Sequence, residues 1–181
     1  MGTETRIYNA ADFERLPEGP PCQLIDGELI MTPSPSYGHQ AIVLKIASKL
    51  LDFVQRKRLG HVVAAPLDVY LTDLDVYQPD VIYVSNQRKH IIKERIKGAP
   101  DLLVEVLSPS NAYYDLGHKK NVYESAGIRE YWIVDVQEKS VEVYVNRDNR
   151  FTLIDKKRVE GIVRSETLEG FSIELVSLFK E

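Results

Sequence analysis

The sequence is poor in cysteine. Cys22 is the only one, so no intramolecular disulfide can form and no cysteine-based zinc centre can assemble. That usage fits a reducing setting, and the expected location is the cytoplasm. Long apolar runs are also missing: none approaches the ~20 residues that span a bilayer. The opening residues Met1-Gly2-Thr3-Glu4-Thr5-Arg6 hold no apolar stretch of the secretory kind, so neither export nor membrane association is expected. Positive charge is not in excess either. Lys and Arg number 23 against 27 Asp and Glu, a net charge of -4. This argues against a protein that wraps nucleic acid through its overall charge, though a local basic face remains compatible with it. There is no internal repeat, low-complexity tract or linker. What is present is ordinary for a globular chain: 181 residues, 44% hydrophobic and 28% charged, enough for one domain over residues 1–181 with a real core.

The pattern along the chain alternates helices and strands. Asn9 reads as the N-cap of a short helix ended by Pro17-Glu18-Gly19-Pro20-Pro21. Asp26-Gly27 between two short apolar runs predicts a hairpin, with Glu28 just past its turn. Glu28 is either a solvated hairpin acid or part of a site. A helix follows over about 39–58, since Ile42, Val43, Ile46, Leu50, Phe53 and Val54 recur at three- and four-residue steps. His39 and Gln40 fall in its first turn, where a surface histidine is the ordinary reading and an accessory to a site the functional one. Two strands, 62–71 and 76–84, read as a second hairpin. Pro79 cannot donate to a ladder, so the later strand is irregular or at an edge where Asp80 appears. Residues 85–99 are the most basic segment, with Arg88, Lys89, Lys93, Arg95 and Lys97. They form either a solvated connector helix or phosphate contacts beside the acids.

The centre of the pattern is Pro100-Asp101-Leu102-Leu103-Val104-Glu105-Val106-Leu107-Ser108-Pro109-Ser110. Short, apolar and bounded by prolines, it predicts a strand buried on both faces, in which the single acid Glu105 demands compensation. A helix is expected over 115–126, stopped by Gly127. Its three- and four-residue steps put Leu116, Lys119, Tyr123 and Ala126 on one inward face, while Asp115 lies one turn before Lys119. Strands follow over 129–135, 140–145 and 151–154, then an apolar tail over 171–179 that docks on the core.

Asp80, Glu105 and Lys119 thus converge on the sheet. Two acids and an amine suit metal-assisted phosphodiester hydrolysis: hard carboxylate oxygens bind Mg²⁺ or Mn²⁺, and a lysine offsets charge on the phosphorus or orients the water. Spacing leaves two other arrangements open. A buried acid–lysine pair can be purely structural. A two-carboxylate glycosidase gives Lys119 no role and wants an aromatic cleft, whereas the single Trp132 lies in an apolar strand and is expected in the core.

Pro79-Asp80, the stretch from Pro100 to Ser110, then Asp115, Lys119 and Tyr123, then Gly127-Ile128-Arg129-Glu130-Tyr131-Trp132-Ile133-Val134-Asp135 together resemble the Uma2 family, also called DUF820. The likeness extends upstream to Asp26-Gly27-Glu28, Pro33-Ser34-Pro35 and His39. It implies an α/β (α+β) restriction-endonuclease-like fold of the PD-(D/E)XK superfamily: a central mixed β-sheet flanked by helices, here with an N-terminal β-hairpin. It implies a Mg²⁺- or Mn²⁺-dependent nuclease acting on DNA, with Asp80 and Glu105 as metal ligands. The Val106 carbonyl would be a third ligand and Glu28 a further upstream one. The superfamily's lysine stands two residues after the glutamate, where this chain has Leu107. Some branches carry it on the next helix, and Lys119 is the matching residue. A catalytically silent nucleic-acid- or partner-binding module using Arg88 to Lys97 is the alternative. The apolar tail and an exposed sheet edge are compatible with a homodimer.

Overall fold

The computed structural model describes residues 7–17, 22–107 and 114–180, with residues 114–116 described by backbone alone. Chain order begins with a short helix, α1 (Ala10–Glu14), in which the Asn9 side chain and Asp12 cap one another reciprocally. The predicted hairpin is present as β1 (Cys22–Ile25) and β2 (Glu28–Met31), with Ile25 opposite Glu28. Its turn residues Asp26 and Gly27 have φ of 50° and 78°, the pair of left-handed conformations that a two-residue hairpin turn requires.

Helix α2 (Tyr37–Lys57) starts two residues ahead of the expected position, because the Ser36 hydroxyl accepts from the His39 N–H at 3.2 Å. It ends with Arg58 in the left-handed conformation, φ 55°. Gly60 has another purpose: a Cβ there would lie 2.2 Å from the Val84 carbonyl oxygen, so the chain can cross back over the sheet only as glycine.

The two long strands expected over 62–71 and 76–84 are each broken in two. Pro66 interrupts the first and Pro79 the second, and neither can donate to a ladder. The chain uses each break to change sheets. Strands β3 (Gly60–Ala64) and β6 (Val81–Ser85) join the central sheet, whereas β4 (Val69–Tyr70) and β5 (Val76–Tyr77) join a second, smaller one. Residues 85–99 are not a connector helix. They form a 3₁₀ turn (Asn86–Ile91) and the short strand β7 (Ile96–Lys97).

The remaining elements are β8 (Leu102–Leu107), α3 (Tyr114–Ala126), β9 (Glu130–Asp135), β10 (Ser140–Arg147), β11 (Arg150–Arg158), β12 (Ile162–Arg164), β13 (Ser172–Glu174) and α4 (Leu175–Phe179). The central sheet has the order β11-β10-β9-β8-β6-β3, and it is mixed because β8 and β9 are parallel. The second sheet has the order β2-β1-β5-β4-β7, and β12 pairs with β13.

Strand β8 divides the core by its period of two. Leu102, Val104 and Val106 face Ile42, Ile46, Leu50 and Val54 of α2, together with Phe171, Ile173, Leu175 and Leu178 of the C-terminal segment. Leu103 faces Tyr77, Tyr123, Ile128 and Tyr131 on the other side. Each such side chain contributes roughly 1.5–3 kcal/mol by leaving water. Trp132 is buried in the α2-side cluster, as its apolar strand implied. Among the described residues no helix is long and apolar enough to cross a membrane.

Candidate active site

The pairing of β6 with β8 places the two acids. Val81 lies opposite Val104 and Ile82 opposite Leu103, so one step further along the same antiparallel register sets Asp80 beside Glu105. The ladder stops there because of Pro79 and Asp80, and the Asp80 side chain takes over from backbone. Its Oδ2 accepts from the Val106 N–H at 2.7 Å. The same oxygen lies 3.3 Å from His39 Nε2. His39 therefore is not a surface residue at a helix start. It is 7% exposed, aimed from the first turn of α2 at Asp80, and its Nδ1 has no hydrogen-bond partner among the described residues.

Glu105 faces α3. Its Oε1 accepts from the Tyr123 hydroxyl at 2.7 Å and lies 3.6 Å from Lys119 Nζ. Lys119 and Tyr123 are four residues apart on one helical face, which is why both reach the same oxygen. The Lys119 ammonium also lies 5.7 Å from the centre of the Tyr77 ring. Tyr77 is held in turn: its hydroxyl donates to Asp75 Oδ1 at 3.0 Å, and Asp75 accepts from Thr72 Oγ1 at 2.7 Å and from the Asp26 N–H at 3.1 Å. The predicted inward lysine is thus inward, at 8% exposure.

The electrostatics follow from burial. Removal from water pushes the Glu105 carboxyl above its ordinary value, Asp80 beside it adds to the rise, and Lys119 and Tyr123 oppose it. His39 is raised above the usual imidazole value, first by its hydrogen bond with Asp80; burial opposes the rise and the charges of Asp80 and Glu105 add to it. The Tyr123 phenol is pushed well above its normal range, chiefly by burial and then by Glu105, so it remains a donor at any working pH.

Together these residues bring two acids, a lysine and a histidine to one place on the sheet. Each acid has one oxygen committed to two donors, Asp80 Oδ2 to Val106 and His39, and Glu105 Oε1 to Tyr123 and Lys119. Hydrogen bonds from described residues leave Asp80 Oδ1 and Glu105 Oε2 uncommitted. Two uncommitted hard oxygens on adjacent acids suit Mg²⁺ or Mn²⁺, which keep several waters and take only one or two carboxylates from a protein. Among the described residues no group of three His, Cys, Asp or Glu side chains converges as a ready metal cage. A cation here would take two carboxylates and complete its shell with carbonyl, water or phosphate oxygens.

The other residues singled out from sequence are scattered. Glu28 is exposed at the start of β2, an edge strand of the second sheet. Gln40 is exposed, and the side chain of Asp115 lies outside the described residues, as do Ser108 to Ser110. In the basic segment, Arg88 donates to the Ala99 carbonyl at 2.8 Å and lies 3.6 Å from buried Asp101. Arg95 pairs with Asp68 at 3.1 Å, and Lys97 with Glu14 at 2.8 Å. Only Lys89 and Lys93 have no ion-pair partner among the described residues. Sequence reasoning put Tyr123 on the inward face but gave it no role, and it did not foresee the Val106 N–H or the Asp75–Tyr77 support. The spacing of Tyr123 from Lys119 was the available signal.

Comparison with known proteins adds to this geometry. The profile of the Uma2 family, described as "Putative restriction endonuclease", matches residues 10–176. Among solved structures, the chain is similar to one described as "a putative nuclease belonging to DUF820" from Anabaena variabilis ATCC 29413. The TM-score is 0.80 at 22% identity, over 94% of this chain and 97% of that one. No curated protein matches.

Proposed function

The chain belongs to the Uma2 family of restriction-endonuclease-like proteins, and from that premise we propose that it is a divalent-metal-dependent endonuclease hydrolysing phosphodiester bonds in DNA. The observation that carries the reading is Lys119. The superfamily position for the lysine holds Leu107, yet an amine from α3 stands 3.6 Å from Glu105 with both side chains 10% exposed. Asp80 and Glu105 would hold Mg²⁺ or Mn²⁺, with the Val106 carbonyl as a third ligand. When bound, the cation polarises the phosphate and lowers the pKa of a water. The chain's own groups do the rest. His39 and the Val106 N–H fix the orientation of Asp80. Lys119 balances the acids in the resting site and offsets charge on the phosphoryl oxygens as it builds. Lys89 and Lys93 remain as phosphate contacts in the basic segment. A silent binding module is less well supported, because Arg88, Arg95 and Lys97 are already engaged within the fold.

The test is cleavage of supercoiled, linear duplex and single-stranded DNA with Mg²⁺ and with Mn²⁺. Wild type is compared with Glu105→Ala and Lys119→Ala. We expect cation-dependent cleavage that either substitution lowers by about 10²-fold or more, the scale of losing one transition-state stabiliser. Cleavage by wild type that survives both substitutions would sink the assignment.

A further inference from the structure

We propose that Tyr123 is a positioning residue. Its hydroxyl holds one oxygen of Glu105 so that the other is presented to the divalent cation. The inference rests on the reading of Glu105 as a metal ligand given above.

Three observations carry it. First, the hydroxyl of a fully buried tyrosine is 2.7 Å from Glu105 Oε1, on the same oxygen that Lys119 faces. Second, the ring cannot swing away. It is packed edge-on against Tyr77, with centroids 5.4 Å apart at 82°, and against Tyr131, at 5.3 Å and 83°. The donor is therefore placed before any ligand arrives. Third, the arrangement is repeated on the other acid, where the Val106 N–H and His39 take Asp80 Oδ2. Packing alone asks only for an aromatic ring at residue 123, since phenylalanine fills the same space. The oxygen is left over, and it is spent on one lobe of a carboxylate. Outer partners of this kind set the direction and basicity of metal ligands, and losing one typically weakens metal affinity about 10- to 100-fold.

The experiment is a Mn²⁺ titration of the full chain without DNA, by calorimetry and by the electron paramagnetic resonance signal of free Mn²⁺. Five proteins are compared: wild type, Glu105→Gln, Tyr123→Phe, the Glu105→Gln/Tyr123→Phe double variant and Tyr83→Phe. Tyr83 controls for losing a partly buried tyrosine hydroxyl, because it donates to the Leu59 carbonyl at 3.3 Å and touches neither acid. We expect Tyr123→Phe to weaken Mn²⁺ about 10- to 100-fold and Tyr83→Phe to leave it unchanged. In the Glu105→Gln background, Tyr123→Phe should add nothing further. Wild-type affinity in Tyr123→Phe, with Glu105→Gln defective, overturns this inference and spares the metal reading. No binding by wild type, or equal binding by Glu105→Gln, overturns both. A measurement on wild type guards against a variant that does not fold. The buried Tyr123 hydroxyl proton, followed by nuclear magnetic resonance, should shift on adding Mg²⁺, and an unmoved signal at saturating Mg²⁺ counts against the proposal.

Discussion

Replacing Lys119 with methionine separates the site's electrostatics from its packing. Methionine keeps the apolar length of the side chain and removes only the charge. The wild-type pair is 3.6 Å apart with both groups nine-tenths buried, so the charge left on Glu105 has little water to turn to and Asp80 beside it. Breaking a buried pair by removing one partner costs about 3–5 kcal/mol. At roughly 2–4 °C per kcal/mol for a chain of this size, the melting temperature at pH 8 should fall by about 6–20 °C. The pH dependence is the sharper signature. The folded pKa of Glu105 already lies above its unfolded value of 4.5, with Lys119 the largest influence holding it down. An acid raised in this way contributes stability that is complete below the unfolded value and is lost as pH rises through the folded one. Without Lys119 the folded value climbs further, so the variant recovers as Glu105 takes up its proton. The gap between variant and wild type should be wide at pH 8 and narrow near pH 5, by thermal denaturation followed with circular dichroism. A deficit that is the same at both pH values would refute the argument, because it would mean that Lys119 matters for its bulk and not its charge.

Asp80→Asn should return His39 toward the ordinary imidazole pKa, since the hydrogen bond to Asp80 is the first cause of its rise; a proton resonance titration of His39 reads this directly, and an unchanged midpoint contradicts the 3.3 Å contact. Arg88→Ala should lower stability without altering the salt dependence of DNA binding, whereas Lys89→Ala and Lys93→Ala should each reduce the slope of log affinity against log salt by about one with no change in melting. Gly60→Ala should destabilise by about 1–3 kcal/mol or more in urea, because the added Cβ meets the Val84 carbonyl at 2.2 Å and neither strand can move without breaking the β3–β6 ladder.

The parts of the fold that could be read from sequence are those set by local spacing. The Asp26-Gly27 turn, the stripe on α2, the doubly buried β8 and the inward placing of Lys119 all follow from periods of two or 3.6 and from turn chemistry. What could not be read depends on partners distant in the chain. Pro79 was visible as a ladder breaker and Pro66, inside the strand expected over 62–71, was passed over; neither showed that the break carries the chain from one sheet into another. Arg88 looked free because its acceptors, Ala99 O and Asp101, meet it only when β8 is in place. His39 looked like surface because nothing nearby in sequence buries it; Asp80, more than forty residues on, does so. Tyr123 and Glu105 lie 18 residues apart and belong to different elements, so their hydrogen bond had no periodic signature.

A lysine carried on the helix and not on the strand has a physical consequence. Leu107 shares the β8 face of Leu103 and Glu105 and pairs with Asp135 in the parallel ladder, so a lysine there would be held by the sheet itself. In this chain the sheet holds only the acids, and the amine depends on how α3 is docked. That docking is tight: Tyr123 is wedged between Tyr77 and Tyr131, and Ile128 just beyond Gly127 is fully buried. Tyr77 is in turn tied through Asp75 to the backbone of the hairpin turn at Asp26. The N-terminal hairpin therefore supports the helix that carries Lys119. Cation affinity and hydrolysis should then be separable, because the first draws on β6 and β8 and the second also on α3 and everything that pins it. A change that loosens α3 while sparing Tyr123 and the acids should leave Mn²⁺ binding intact and lower the rate of cleavage.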